Sequence, residues 1–389
     1  MITKKKICVF TAARSDYFLL RPLLKSIKEN PKLHLQIVVS GMHLSKEFGD
    51  TWEIIKSDGF EITEKVPMIL STDTPNATVA SMGLGMIQFS EILTRLSPDV
   101  CVVLGDRFEL MSFSISCHIL KIPIAHIHGG ELTHGAFDDA IRHSITKMSA
   151  LHLTATDEYK RRVIQMGEQP SAVFNVGALA VENIQNIQDI TLVDLEKLLN
   201  LSLNEKYFLV TFHPETMGKV DIKVQLICLL DALKRFPDYQ VLWTSSNADP
   251  SGRCINEMLR STNLEQSVHF IENLGELYLP ALKLSSAVIG NSSSAIIEAP
   301  ILGIPTVNLG TRQSGRVRTS SILDVDFRTE DIYQAIKKCL SQDFLSSIKH
   351  DKHPYGEGNT AQKITEKLLE WDFSKSKFKI FYDLDKVLS

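Results

Sequence analysis

Short runs of consecutive apolar, mostly β-branched residues recur along this chain and alternate with longer amphipathic stretches. In the first half the runs are KICVF (6–10), LQIVVS (35–40), VCVVLG (100–105), IPIAHI (122–127), LHLTAT (151–156) and SAVFNV (171–176). Residues 16–29, 77–95, 108–120, 138–149 and 157–167 lie between them and read as helices. A strand that is apolar at successive positions has both faces buried, so the alternation predicts a parallel sheet covered by helices on both sides. The pattern then restarts with YFLVTF (207–212), YQVLWT (239–244), SVHFIE (267–272), SAVIGN (286–291) and IPTVNL (304–309). Helical stretches near 221–235, 251–261, 275–283, 293–302 and 329–341 separate these strands, and the polar interval 182–204 reads as a helix plus linker. The expected fold is α/β, with two doubly wound Rossmann-like domains in tandem facing a cleft. The boundaries expected are 1–181 and 182–358, followed by a C-terminal helix and tail over 359–389, the helix packing back on the N-terminal domain.

A chain of 389 residues is too long for one ordinary core, which agrees with two domains. Its net charge of −4 gives no electrostatic reason for nucleic acid or an anionic membrane as partner. No apolar run approaches the roughly 20 residues that span a bilayer, and the N-terminal MITKKKICVFTAAR reads as a first strand and not as a signal peptide. The six cysteines form no CxxC pair, so a reducing, cytoplasmic setting is expected.

Ligands of such sheets bind beyond the carboxyl ends of the strands, which makes the segment after each strand a candidate site. Those segments are TAARSDY, GDRFE and HIHGGE in the first half. In the second they are HPET (213–216), SSNADPSGR (245–253), GNSSSAIIE (290–298) and GTRQSGR (310–316). In GNSSSAIIE, Ser292, Ser293 and Ser294 lie where a helix would begin, a place for a phosphate or simply for a capping serine. Glu298 is placed to accept from ribose hydroxyls or to be an exposed helix carboxylate. Arg14, Arg312 and Arg316 each follow a strand. Three such arginines at the same sheet edge, with the serine turn, suit a diphosphate. Neither a GxxxxGK[ST] loop nor a GxGxxG after the first strand occurs, so no nicotinamide or flavin cofactor is expected. Asp106 sits at a strand rim where desolvation would tune it as a general base, or it is a helix cap. His213 is placed at a similar rim, to stand beside a phosphate or to transfer a proton.

The densest stretch is HIHGGELTHGAFDDAIRH (126–143), with His126, His128, His134 and His143 among Glu131, Asp138 and Asp139. His126 and His128, two apart on a strand, would share a face. With Glu131 they could make a zinc set, but HExxH and a Cys/His quartet are absent. Proton-transfer and hydrogen-bonding groups around a substrate are the rival reading, and no metal is expected.

Together TAARSDY, SGMHLS, LGDRFE, HIHGGE, DDAIRHSITKMS, HPET, GNSSSAIIE and GTRQSGR, spanning roughly residues 5–365, resemble the hydrolysing UDP-N-acetylglucosamine 2-epimerases of sialic acid synthesis. Relatives acting on UDP-N,N′-diacetylbacillosamine in legionaminic acid synthesis look almost the same. The resemblance implies a glycosyltransferase-B-type fold with UDP in the cleft, the sugar on the N-terminal side and the nucleotide on the C-terminal side. It implies loss of the carbon 2 proton, departure of UDP from carbon 1, a glycal intermediate, and addition of water to release N-acetylmannosamine and UDP. No cofactor is needed for that chemistry, and a homo-oligomer, dimer or tetramer, is implied. Carried onto this sequence, Asp106, His128, Glu131, Asp138, Arg142 and His213 fall in the catalytic region. Arg14, Arg107, His213, Asn247, Arg253, Ser292, Ser293, Glu298 and Arg312 match nucleotide-binding positions. One departure stands out: many relatives end the fourth expected strand in H-x-E, whereas here the third position is His128 and the nearest carboxylate is Glu131.

Overall fold

The computed structural model describes residues 4–72, 74–215, 220–245, 252–261, 267–374 and 379–384, without the side chains of 252, 253, 260 and 261. Among the described residues thirteen strands form two all-parallel sheets. The first holds β1 (Lys5–Thr11), β2 (Leu33–Ser40), β3 (Glu64–Val66), β4 (Val100–Leu104), β5 (Ile124–Ile127), β6 (Leu151–Thr154) and β7 (Val173–Asn175). The second holds β8 (Tyr207–Thr211), β9 (Gln240–Thr244), β10 (Val268–Ile271), β11 (Ala287–Gly290), β12 (Thr306–Leu309) and β13 (Ile322–Val325). Their orders are β3-β2-β1-β4-β5-β6-β7 and β10-β9-β8-β11-β12-β13. Each order reverses once, between β1 and β4 and between β8 and β11, and these switch points are where such sheets open a crevice for ligand.

The chain divides into two compact units: 1–131 with 138–183 and 355–389, and 132–137 with 184–354. In the first unit every residue of β4 and β5 is buried, which is why these strands read as unbroken apolar runs. One face of its sheet packs on Tyr17, Leu20, Leu24 and Ile27 of the helix Arg14–Glu29 and on Ile364 and Leu368 of the helix Thr360–Glu370. The Lys5 ammonium caps the latter helix by donating to the carbonyls of Leu368, Leu369 and Trp371 at 2.8, 3.0 and 3.0 Å, meeting the orphan acceptors of a helix end. On the other face Phe10 stacks on Phe113 with centroids 4.4 Å apart, and Phe89 meets both rings edge-on. In the second unit Phe208, Trp243, Ile289 and Val307 fill one face and Tyr207, Leu242 and Val288 the other.

Two edge strands, β3 and β13, are absent from the sequence reading. Both are short, and each carries polar residues on an open face, so neither shows the two-faced apolar run used to find the others. The helix expected over 293–302 is broken into a 3-10 turn, Ser293–Ala295, and a single α-turn, Glu298–Ile301. Pro300 lies inside that last turn and has no N–H to continue a helical ladder. At the head of this segment Gly290 pairs with Thr211 across β11 and β8 at φ +141°, and a Cβ there would strike the Thr211 carbonyl oxygen. Gly290→Ala is therefore expected to destabilise the second unit by about 3 kcal/mol through backbone strain and steric overlap. Urea unfolding followed by Trp243 fluorescence reads this, and an unchanged midpoint would refute it.

Candidate active site

The segment after β5 is a tight turn built on two unusual backbones. His128 lies in the left-handed region at φ +66° and Gly130 at φ +81°. His128 is thus outside the strand, which ends at Ile127, and the expectation that His126 and His128 share a strand face is corrected. The turn is held by two arginines: Arg162 donates to the Gly130 carbonyl at 2.6 Å and Arg142 to the Glu131 carbonyl at 2.9 Å. Within it His128 Nδ1 lies 2.9 Å from Glu131 Oε1, both side chains being nearly sealed from solvent. His128 Nε2 is buried and meets no hydrogen-bond partner among the described residues. The 2.9 Å approach is an ion-pair distance, at which the carboxylate favours the imidazole proton on Nδ1 and Nε2 as the acceptor.

The four histidines of this stretch do not form one site. His126 is fully buried, its Nε2 at 2.8 Å from the Gly105 carbonyl and its Nδ1 at 3.1 Å from the Thr146 hydroxyl. Burial holds its pKa down at about 3, so it is a neutral structural histidine and no proton shuttle. His134 is exposed in the segment assigned to the second unit, where its N–H donates to the Ser314 carbonyl at 3.2 Å. His143, its pKa lowered by burial, sits 3.6 Å from Asp139. No group of three or more His, Cys, Asp or Glu side chains among the described residues is disposed to hold a metal ion.

Asp106 follows β4 after Gly105, and its carboxylate is paired with the buried guanidinium of Arg142. The rim carboxylate is thus an ion-pair partner, and the helix that follows is capped at Arg107 and not at Asp106. Arg142, with 1% of its side chain exposed, also lies 3.4 Å from Asp139. It belongs to the helix Asp138–Met148, which begins with Asp138 and Asp139 where the helix dipole favours carboxylates. One buried cation thus ties together the ends of β4 and β5 and the start of this helix.

Around β1, β2 and β4 lies a second polar cluster that sequence reasoning missed. Glu109, fully buried, receives Arg107 through Nε at 3.2 Å and Nη2 at 3.0 Å. Arg107, expected at the nucleotide, is thus already engaged. Asp16 accepts from the Ala12 and Ala13 amides at 3.0 and 2.9 Å. Burial pushes both carboxyls up. His43, sealed between Thr11 and Thr51, is held at about 3 by burial and by Arg107. Glu109, Asp16 and His43 stand inside LGDRFE, TAARSDY and SGMHLS, so their signal was a lone polar residue in a rim motif. Arg14, first residue of its helix, is half-buried with no side-chain partner among the described residues, and burial lowers its pKa to about 10.

In the second unit Asn291, fully buried, clasps His213: its Oδ1 accepts from the His213 N–H and its amide donates to the His213 carbonyl, both at 2.8 Å. The Asn291 carbonyl accepts from Gln313 at 2.9 Å and from Arg312 at 3.3 Å. Glu215 holds the loop after β12 by accepting from the Thr311 and Arg312 amides. His213, Ser292 and Arg312 are thereby gathered at the carboxyl ends of β8, β11 and β12, either side of the second switch point. Ser292 accepts from the Ser294 amide at 3.3 Å, Ser293 is exposed, and Glu298 opens the short α-turn. Arg14 lies on the first sheet and Arg312 and Arg316 on the second, so the three arginines do not share one edge. Asn247 lies outside the described residues, and so does the side chain of Arg253.

Comparisons with known proteins follow the same lines. A family model described as UDP-N-acetylglucosamine 2-epimerase matches residues 25–369. The chain is 40% identical over 346 residues, 88% of its length, to 89% of a GDP/UDP-N,N′-diacetylbacillosamine 2-epimerase (hydrolyzing) of Campylobacter jejuni. It is 37% identical over 383 residues, 98% of each chain, to polysialic acid biosynthesis protein P7 of Escherichia coli. Its fold is similar, with a TM-score of 0.79 at 18% identity over 94% of this chain and 100% of the other, to a UDP-GlcNAc 2-epimerase of Methanocaldococcus jannaschii.

Proposed function

This chain belongs to the UDP-N-acetylglucosamine 2-epimerase family, and from that premise we propose that it is a hydrolysing 2-epimerase of a UDP-linked 2-acetamido sugar. UDP-N,N′-diacetylbacillosamine is the substrate in first place, supported by the Campylobacter relative. This revises the expectation of UDP-N-acetylglucosamine, which becomes the second reading, supported by the polysialic acid relative.

The observation that carries the reading is a pair of acid–base groups at the ends of the adjacent strands β4 and β5: Asp106 on Arg142, and His128 on Glu131. Inversion at carbon 2 requires a proton to leave one face and another to arrive on the opposite face, which one group cannot do from one position. Asp106 takes the carbon 2 proton as the carbon 1–oxygen bond breaks and UDP departs, leaving a carbon 1–carbon 2 double bond. Water then bonds through oxygen to carbon 1; His128 Nε2, oriented by Glu131, accepts the proton this water gives up and delivers it to the other face of carbon 2. Asp106 passes the proton it removed to the departing UDP or to solvent, which restores the carboxylate. Asp138 is assigned to the same catalytic face.

Leaving-group charge calls for fixed cations and donors. Arg14, a half-buried guanidinium with no counter-ion among the described residues, suits a diphosphate, and Arg107 lies near it on the first sheet. His213, Ser292, Ser293, Glu298 and Arg312 are assigned to UDP on the second, with Asn247 and Arg253 added from the sequence. The serine turn is too short to supply a helix dipole, so arginines carry most of the charge.

Incubation of each UDP-sugar in heavy water enriched in oxygen-18 tests this. The expected product is a free 2-epimeric sugar with deuterium at carbon 2 and solvent oxygen at carbon 1, formed faster from the diacetylated substrate. A product that keeps its nucleotide, or that carries neither label, rejects the reading.

A further inference from the structure

The segment 379–384 runs along the first unit, past the stretch 25–369 that the family model matches, and takes no part in the chemistry above. We propose that it is a strap that sets the position of the Asp138–Met148 helix, with Lys379 a positioning residue for Asp106 and Arg142. The catalytic half of this inference rests on the function just proposed.

The strap is fastened at four points. Lys379 Nζ donates to the Lys147 carbonyl at 2.8 Å and to that of Thr146 at 3.4 Å, at the last turn of the helix. The Thr146 carbonyl also accepts from the Ser149 N–H at 3.1 Å, so the ammonium adds to the cap of this helix end, and a cation there complements the dipole. Lys379 further pairs with Glu168 at 2.6 Å. The Tyr382 N–H donates to the Gly167 carbonyl at 2.9 Å, and Gln169 donates to the Ile380 carbonyl at 3.1 Å. Phe381 lies over Gly167, where any side chain would collide with its ring, and the Lys147 ammonium sits 4.9 Å from that ring's centroid.

Glu168 is the anchor. It is 2% exposed and receives Lys147 at 2.7 Å and the fully buried His152 at 2.9 Å as well as Lys379. Burial alone would push its carboxyl up, yet these three partners outweigh it and hold the pKa at about 2. The carboxylate is therefore held in its charged form, and the strap's ammonium is one of the cations that balance it.

Two routes lead from the strap to Asp106. One is the helix itself, which is held at its last turn by Lys379 and carries Arg142, the partner of Asp106. The other runs through Thr146: its carbonyl meets Lys379, its hydroxyl meets His126 Nδ1 at 3.1 Å, and His126 Nε2 meets the carbonyl of Gly105 at 2.8 Å. Gly105 immediately precedes Asp106. Ile380 and Phe381 are 77% and 60% exposed, so the strap lies on the surface and can be removed without opening the core.

The test compares the full chain with a truncation after Ser374, with Lys379→Ala and with Lys379→Arg. It reads kcat, KM and amide hydrogen exchange over residues 143–148. Loosening a catalytic helix without removing its groups is expected to lower kcat about tenfold in the truncation while KM stays within about twofold. Exchange over 143–148 should quicken about tenfold as the last turn loses its restraint. Lys379→Ala should follow the truncation and Lys379→Arg the full chain. An unchanged kcat overturns the inference, whether or not exchange quickens, and so does a change confined to KM. If the full chain turns over neither UDP-sugar, the proposed function fails separately. Exchange then decides the strap alone: faster exchange on truncation upholds it, and unaltered exchange rejects it.

Discussion

Asp106→Asn is expected to lower kcat about a thousandfold, the scale of a removed general base, while the Kd for UDP stays within about twofold. Asparagine keeps the shape of the side chain and leaves an oxygen for the Arg142 guanidinium, so the ion pair becomes a hydrogen bond and the helix stays in place. What is lost is the ability to accept the carbon 2 proton. UDP release gives the rate, and calorimetric titration with UDP gives the affinity. A variant that keeps a tenth or more of the activity would mean that Asp106 only secures Arg142.

Glu131→Gln is expected to stop the reaction halfway. The amide can still meet His128 but no longer holds the Nδ1 proton against a charge, so the imidazole loses its enforced tautomer and its support as a cation. Elimination by Asp106 continues, whereas protonation at carbon 2 slows about a hundredfold. The variant should then release UDP together with the unsaturated sugar, visible by NMR as an alkene proton, where the parent releases the saturated epimer. Saturated product formed at the parent rate would rule out the dyad.

Much of this architecture was legible because parallel strands buried on both faces leave an unmistakable apolar run. Edge strands such as β3 and β13 escape that rule, because half of each faces solvent. In the candidate catalytic region the motifs mark the turns but not the partners. Asp106 reads as a rim carboxylate, and nothing in its spacing tells that Arg142, 36 residues later, will sit on it. His126 and His128 look equivalent on paper. A left-handed backbone at His128 separates them, sending one into the core as a neutral strut and the other toward Glu131. Lone buried carboxylates such as Glu109 carry no periodic signal, since their meaning comes wholly from the arginine they meet.

The segmented build of the first unit has a consequence for its synthesis. Residues 184–354 leave the ribosome as one continuous stretch, so the second unit can complete itself early apart from the six residues 132–137 already made. The first unit must wait. Leu20, Leu24 and Ile27 share a core with Ile364 and Leu368, and Ser26 meets Thr365 at 2.8 Å. At about 5–20 residues per second that apolar stripe stays uncovered for roughly tens of seconds in every nascent chain. The unit whose main stretch is translated second is thus the first that can finish folding. For that interval the unit bearing Asp106 and His128 lacks part of its core, while the chain of the one bearing His213 is already complete.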